Sequence, residues 1–149
     1  MGVSSDPGRK RKSRCRLWDG NIHNLEPLGN GVSGLVLAID EKRVVKIDIG
    51  TQRSIEDLET EREIYRGLNQ QHNKHVLRCY EVDNPSGLVL ERCDDTIRKR
   101  LRSRYRNTQP PEDMVKKWAC EAAQGLAYIH RCGVVQVDGK TWIFLADVL

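Results

Sequence analysis

Short apolar runs broken by turn residues set the pattern of the first two thirds of the chain. LEPLG at 25–29, GLVLAID at 34–40 and RVVKIDI at 43–49 predict three strands in quick succession. A glycine-rich turn from Gly29 to Gly34 joins the first two, and the charged pair Glu41 and Lys42 joins the next two, so an antiparallel meander opens the fold. Over 54–69 the period changes: Ile55, Leu58, Ile64, Tyr65 and Leu68 recur at near-helical spacing, with Ser54 as the expected N-cap and acidic residues in the first turn. Strands return at 75–82 and 87–92, joined by a turn over Asn84, Pro85, Ser86 and Gly87.

The remainder changes character. Residues 94–106, DDTIRKRLRSRYR, read as a short basic helix, and Pro110 and Pro111 separate it from the next element. Over 112–131, Met114, Val115, Trp118, Ala119, Ala122, Leu126 and Ile129 line one stripe of a long helix. Two strand-like runs, 133–138 and 142–146, complete the pattern. The order is α+β: a sheet lobe with one helix, then the start of a helical lobe. The 149 residues suffice for one domain with a single core.

Charge changes this picture at one end only. Residues 1–16 hold six basic residues against Asp6 alone, while the rest carries 19 basic and 20 acidic residues. A nearly neutral body with a basic tail argues against nucleic-acid binding by the body. The tail, taken as a disordered segment over 1–20, is open to three uses: nuclear import, polyanion binding or simple solvation. No apolar run approaches the roughly 20 residues of a membrane helix, and the basic N-terminus has no apolar segment behind it, so neither a membrane span nor a secretory signal is expected. Asp6 stands where a myristoylation pattern wants Ser or Thr. Five cysteines without a C-x-x-C pair indicate neither a disulfide framework nor a zinc site, and a reducing, cytoplasmic or nuclear setting is expected.

Gly29, Gly31 and Gly34, with Asn30 among them, satisfy G-x-G-x-x-G. A dinucleotide-binding loop requires a helix next, and here a strand comes instead, which disfavours that class. A strand, a glycine loop, a second strand and then Val44-Val45-Lys46 on a third resembles the nucleotide lid of protein kinases. The resemblance covers about 25–149. It implies an α+β protein-kinase-like fold, with an antiparallel five-stranded N-lobe and one helix over 21–92, and the first helices of the C-lobe over 93–149.

For the site, the resemblance assigns roles to individual residues. Lys46 would hold the α- and β-phosphates of ATP, and Glu61 would fix its stem, with Glu59 and Glu63 as the other choices. Leu90 stands as gatekeeper, with Glu91, Arg92 and Cys93 as the hinge whose backbone groups bond adenine, and Val36 and Val44 would sandwich the base. Asp138, eight residues after His130, takes the place of the catalytic base, and Lys140 leans toward the serine/threonine branch. Departures cluster here. Gln136 and Val137 replace the His-Arg of the family's loop, and Ile143 replaces the asparagine that holds magnesium, so Mg²⁺, expected for the family, lacks its usual ligands. Asp147 reads as a turn residue, and the sequence given ends at Leu149 before any D-F-G triplet. Two functions are compatible with this set: ATP-dependent transfer to protein Ser/Thr in intact relatives, not expected of these 149 residues alone, or a non-catalytic pseudokinase that binds a protein partner. The second reading expects part of the stripe on helix 112–131 to be exposed. The basic cluster over 98–106 is read as a solvated face, with acidic substrates or partners as the alternative.

Overall fold

The computed structural model describes residues 18–68, 73–93 and 97–135. The predicted strand 142–146, most of 133–138, the basic tail up to residue 17 and the candidates Asp138 and Lys140 lie outside them.

Strands β1 (Glu26–Gly31), β2 (Gly34–Ala38), β3 (Arg43–Ile47), β4 (Cys79–Glu81) and β5 (Leu88–Glu91) form one sheet in the order β1-β2-β3-β5-β4. Every neighbouring pair is antiparallel. Helix α1 (Gln52–Leu68) enters between β3 and β4, and α2 (Ile97–Arg104) and α3 (Glu112–Arg131) come after β5. The α+β plan and the five antiparallel strands match the sequence reading.

The boundaries differ for local reasons. β1 runs on through Asn30 and Gly31, which pair with Leu35 and Gly34, so the glycine turn narrows to Val32 and Ser33. The turn before β3 starts at Asp40, whose carboxylate accepts the N–H groups of Lys42 (2.8 Å) and Arg43 (2.7 Å). That local bond draws Asp40 out of the predicted strand 34–40. The predicted strand 75–82 shrinks to three residues. Residues 94–96 fall outside the described chain, and the basic helix begins at Ile97.

Thr51, not Ser54, caps α1. Its hydroxyl accepts the Ser54 N–H, and the Ser54 hydroxyl accepts the Thr51 N–H, each at 3.2 Å, a reciprocal pairing that starts the helix at Gln52. The first turn therefore carries no acidic residue. The buried stripe of α1 is Ser54, Leu58, Tyr65 and Leu68, and Ile55 turns outward.

That stripe packs on the sheet face bearing Val44, Leu88 and Leu90, with Val76, Cys79 and Val82 beside it. Tyr128 and Ile129 of α3 join the same core, and the Tyr128 hydroxyl donates to the Leu68 carbonyl at 3.0 Å, satisfying the end of α1. On α3 the buried residues are Trp118, Gly125, Tyr128 and Ile129, so the covered face is rotated from the predicted stripe, and Val115 and Ala119 are exposed. Tyr128 carries the difference, because its hydroxyl finds a buried acceptor that a polarity pattern does not anticipate. The strand expected from residue 133 does not start there. Gly133, at φ 79°, donates to the His130 carbonyl and Val134 to that of Ile129, so a glycine-terminated helix end occupies those positions.

Trp18 to Gly20, expected in the loose tail, are tied to the turn between β4 and β5. The Trp18 N–H donates to Glu81 (2.9 Å), and the Ser86 hydroxyl donates to the Gly20 carbonyl (2.6 Å). Asn84, buried, donates to the Glu81 carboxylate (2.9 Å) and accepts the Ser86 N–H (3.0 Å).

Candidate functional site

Sheet register decides which candidates share a face. Gly29 opposes Val36, Gly31 opposes Gly34, Val36 opposes Lys46, and Val44 opposes Leu90. Opposed residues point the same way, as do alternate residues along a strand. Gly29, Gly31, Gly34, Val36, Val44, Lys46 and Leu90 therefore lie on one face, with Ala38 as a further member. Asn30, opposite Leu35, and Glu91, opposite Arg43, belong to the other face.

Lys46 is the charged centre of this face. It is 8% exposed, and its Nζ pairs with the Glu61 carboxylate. An ammonium group so far from water needs an anion close by. Glu61 meets that need from the middle of the buried stripe of α1, three residues after Leu58 and four before Tyr65. The other two candidate glutamates do not reach it: Glu59 pairs with Arg62 and Arg66, and Glu63 is exposed.

The three glycines are not equivalent. A side chain at Gly34, φ 143°, would collide with the Ile47 carbonyl, whereas among the described residues nothing lies within 4 Å of a Cβ added at Gly29, and at Gly31 only the Gly34 carbonyl, at 4.0 Å. Gly34 is required by the closeness of β2 to β3. Gly29 and Gly31 leave open space above the face that carries Lys46. A phosphate-bearing ligand fits that set: one buried ammonium beneath backbone that no described side chain crowds.

Leu90 and Val44 are buried in the core, and Val36 is half-buried at its margin. At the end of β5 the Glu91 N–H donates to the Arg78 carbonyl and the Arg92 N–H to that of Lys42, both at 2.9 Å, and Cys93 is exposed. The Glu91 carboxylate accepts the Arg78 N–H at 3.4 Å, away from Lys46. Among the described residues no group of three His, Cys, Asp or Glu could hold a metal ion, and no helix is long and apolar enough to cross a membrane.

Sequence reasoning missed Arg62. Its guanidinium donates to the Val82 and Asn84 carbonyls, the latter at 3.0 Å, with Glu59 at 3.6 Å. In the run Glu59 to Glu63 it looks like any solvated helix charge, and no pattern in the sequence marks its long-range acceptors.

Burial also perturbs two acids behind the pair. It pushes the Cys79 thiol up from 9.0 to about 12, against the Glu81 N–H, which favours the thiolate, and with the Glu61 carboxylate adding to the rise. Burial, and then Glu61, push the Tyr65 phenol upward as well. The fold accommodates the neutral thiol, so the folded chain keeps a proton that the unfolded chain releases near pH 9. This contribution to stability is complete below about pH 9 and is lost as pH rises toward 12. Thermal melts across that window are expected to show a falling midpoint that Cys79→Val flattens. An unchanged slope in the variant would assign the effect to the tyrosines Tyr65 and Tyr128, whose phenols burial also pushes upward.

No protein-family model matches the chain. Among curated proteins, it is 26% identical over 121 residues to a serine/threonine-protein kinase of Arabidopsis thaliana, a match covering 81% of this chain and 20% of that one. It is 28% identical over 122 residues to serine/threonine-protein kinase 33 of Bos taurus, covering 76% of this chain and 24% of that protein. It is 37% identical over 71 residues to serine/threonine-protein kinase kin-29 of Caenorhabditis briggsae, covering 45% and 8%. The matched segment thus spans a quarter or less of each relative. By these comparisons the chain is similar to serine/threonine protein kinases.

Proposed function

We propose that the chain is the nucleotide-binding part of a protein-kinase-like domain, with residues 21–92 as its sheet lobe and 93–149 opening its helical lobe. The pairing of buried Lys46 with half-buried Glu61, under the open Gly29–Gly31 segment, carries this reading. Lys46 binds the α- and β-phosphates of ATP, and Glu61 holds its stem so that the ammonium stays aimed at them. The backbone at Gly29, Asn30 and Gly31 approaches the phosphates closely, Val36 and Val44 pack on the base, and Leu90 closes the back of the site. At the hinge, backbone groups of Glu91 and Cys93 orient the adenine, since the Glu91 side chain lies on the opposite face. ATP supplies the γ-phosphoryl group. In longer relatives of this kind, Asp138 accepts the proton of a protein Ser or Thr hydroxyl and Lys140 contacts the γ-phosphate.

No step is assigned to Mg²⁺. The described residues offer no metal cluster, and Ile143, outside them, has no ligand atom. That substitution, with Gln136 and Val137, favours a second reading in which the chain binds nucleotide and a protein partner without transferring phosphate. Phosphate incorporation by the purified chain that Asp138→Ala abolishes would overturn this second reading.

Cys93 provides the direct test of binding. Alkylation of the purified chain, read thiol by thiol by mass spectrometry, is expected to slow at exposed Cys93 when ATP is added. Cys120 and Cys132, also exposed but on and after α3, serve as controls and keep their rates. Equal labelling of Cys93 with and without millimolar ATP would sink the nucleotide reading.

A further inference from the structure

Helix α1 is held on two adjacent faces. One is the stripe of Leu58, Glu61, Tyr65 and Leu68 that meets the sheet and Lys46. The other carries Arg62 and Arg66, one turn apart, and both reach the turn between β4 and β5. Their grips differ in kind. Arg66 pairs at the surface with the exposed side chains of Asp83 (2.8 Å) and Glu59 (3.3 Å). Arg62, whose side chain is 12% exposed, spends its planar fork on two backbone carbonyls, Val82 and Asn84.

Those carbonyls belong to a turn tied by its own hydrogen bonds. Asn84 is 7% exposed and bonded through its own side chain to Glu81 and Ser86. Glu81 and Ser86 in turn hold Trp18 and Gly20. Leucine and tyrosine contacts are non-directional, so packing alone tolerates small rotations or slides of α1. Directional bonds from the residue next to Glu61 do not.

We propose that Arg62 is a positioning residue for the Lys46–Glu61 pair: its hold on the Val82 and Asn84 carbonyls sets the rotation and depth at which α1 presents Glu61. The proposal concerns the pair's geometry, and it bears on nucleotide binding only through the function proposed above. Arg62→Ala releases the rotation and uncovers Lys46. Arg62→Lys, with one ammonium for two carbonyls, retains part of the hold.

The test reads Lys46 directly. Trace acetylation of the full 149-residue chain, well below its melting temperature, measures the reactivity of each lysine by mass spectrometry. Lys46 is expected to react about tenfold faster in Arg62→Ala, with Arg62→Lys intermediate and Arg66→Ala unchanged. Other lysines serve as the internal reference against general loosening, and if Arg62→Ala does not fold, Arg62→Lys carries the comparison. Lys46 reactivity equal to the parent's in the folded Arg62 variants would overturn the proposal. In parallel, a fluorescent ATP analogue is titrated into each protein. Arg62→Ala is expected to weaken binding about tenfold, and to add nothing in a Glu61→Gln background. Additive losses would mark a merely structural role and overturn it. If the parent chain binds no analogue, the nucleotide reading fails, while the acetylation result still decides the role of Arg62.

Discussion

Gly34→Ala is expected to destabilise the chain by about 3 kcal/mol, enough to lower its thermal midpoint by about 10 °C. Two penalties combine at this position. The backbone sits at φ 143°, which L-residues avoid, and the new methyl group would run into the Ile47 carbonyl, a strand atom that cannot yield without parting β2 from β3. The neighbouring glycines behave oppositely. Gly29→Ala and Gly31→Ala meet open space and are expected to change stability by less than about 0.5 kcal/mol, while weakening ATP binding about tenfold if phosphates approach that backbone. Melting curves and nucleotide titrations on the three variants separate the two roles. A Gly34→Ala protein as stable as its parent would contradict the strand geometry, and unimpaired ATP binding by Gly29→Ala and Gly31→Ala would remove those glycines from the site.

The Lys46–Glu61 pair is expected to respond asymmetrically. The lysine side chain is 10% exposed and the glutamate side chain 28%. Glu61→Ala takes from the more deeply buried charge its carboxylate and is expected to cost about 3 kcal/mol. Lys46→Met fills the space with an unbranched apolar chain and leaves Glu61 with water within reach, at about 1 kcal/mol. On the proposed function both changes weaken nucleotide binding, so affinity falls in parallel while stability does not. Denaturant unfolding of the two variants gives the comparison. Equal stability losses would mean that the exposure of the two side chains does not govern the cost.

The pair was legible only through the kinase resemblance, which left Glu59 and Glu63 open beside Glu61; the fold makes the choice, since of the three only Glu61 lies on the stripe with Leu58 and Tyr65. Strand and helix types were legible in the chain itself, since apolar spacing reports one face of an element at a time. Their ends were not. Thr51 and Ser54 exchange hydrogen bonds that move the start of α1, and Asp40 turns the chain a residue before the charged pair. These are choices between competing local bonds, and composition does not rank them.

The sequence by itself determined the α+β order, the glycine segment, and the residue types able to hold a phosphate-bearing ligand. Tertiary structure alone decided three things. It separated Gly34 from Gly29 and Gly31, because the closeness of β3 is a distance between strands rather than a property of the loop. It moved Asn30 and the Glu91 side chain off the site face, through a register that pairing partners set. It also gave Arg62 its two carbonyl acceptors, 20 and 22 residues further along the chain, where only the folded turn between β4 and β5 brings them within reach. Spacing along a chain encodes which face a residue shares, and only packing fixes what stands opposite that face.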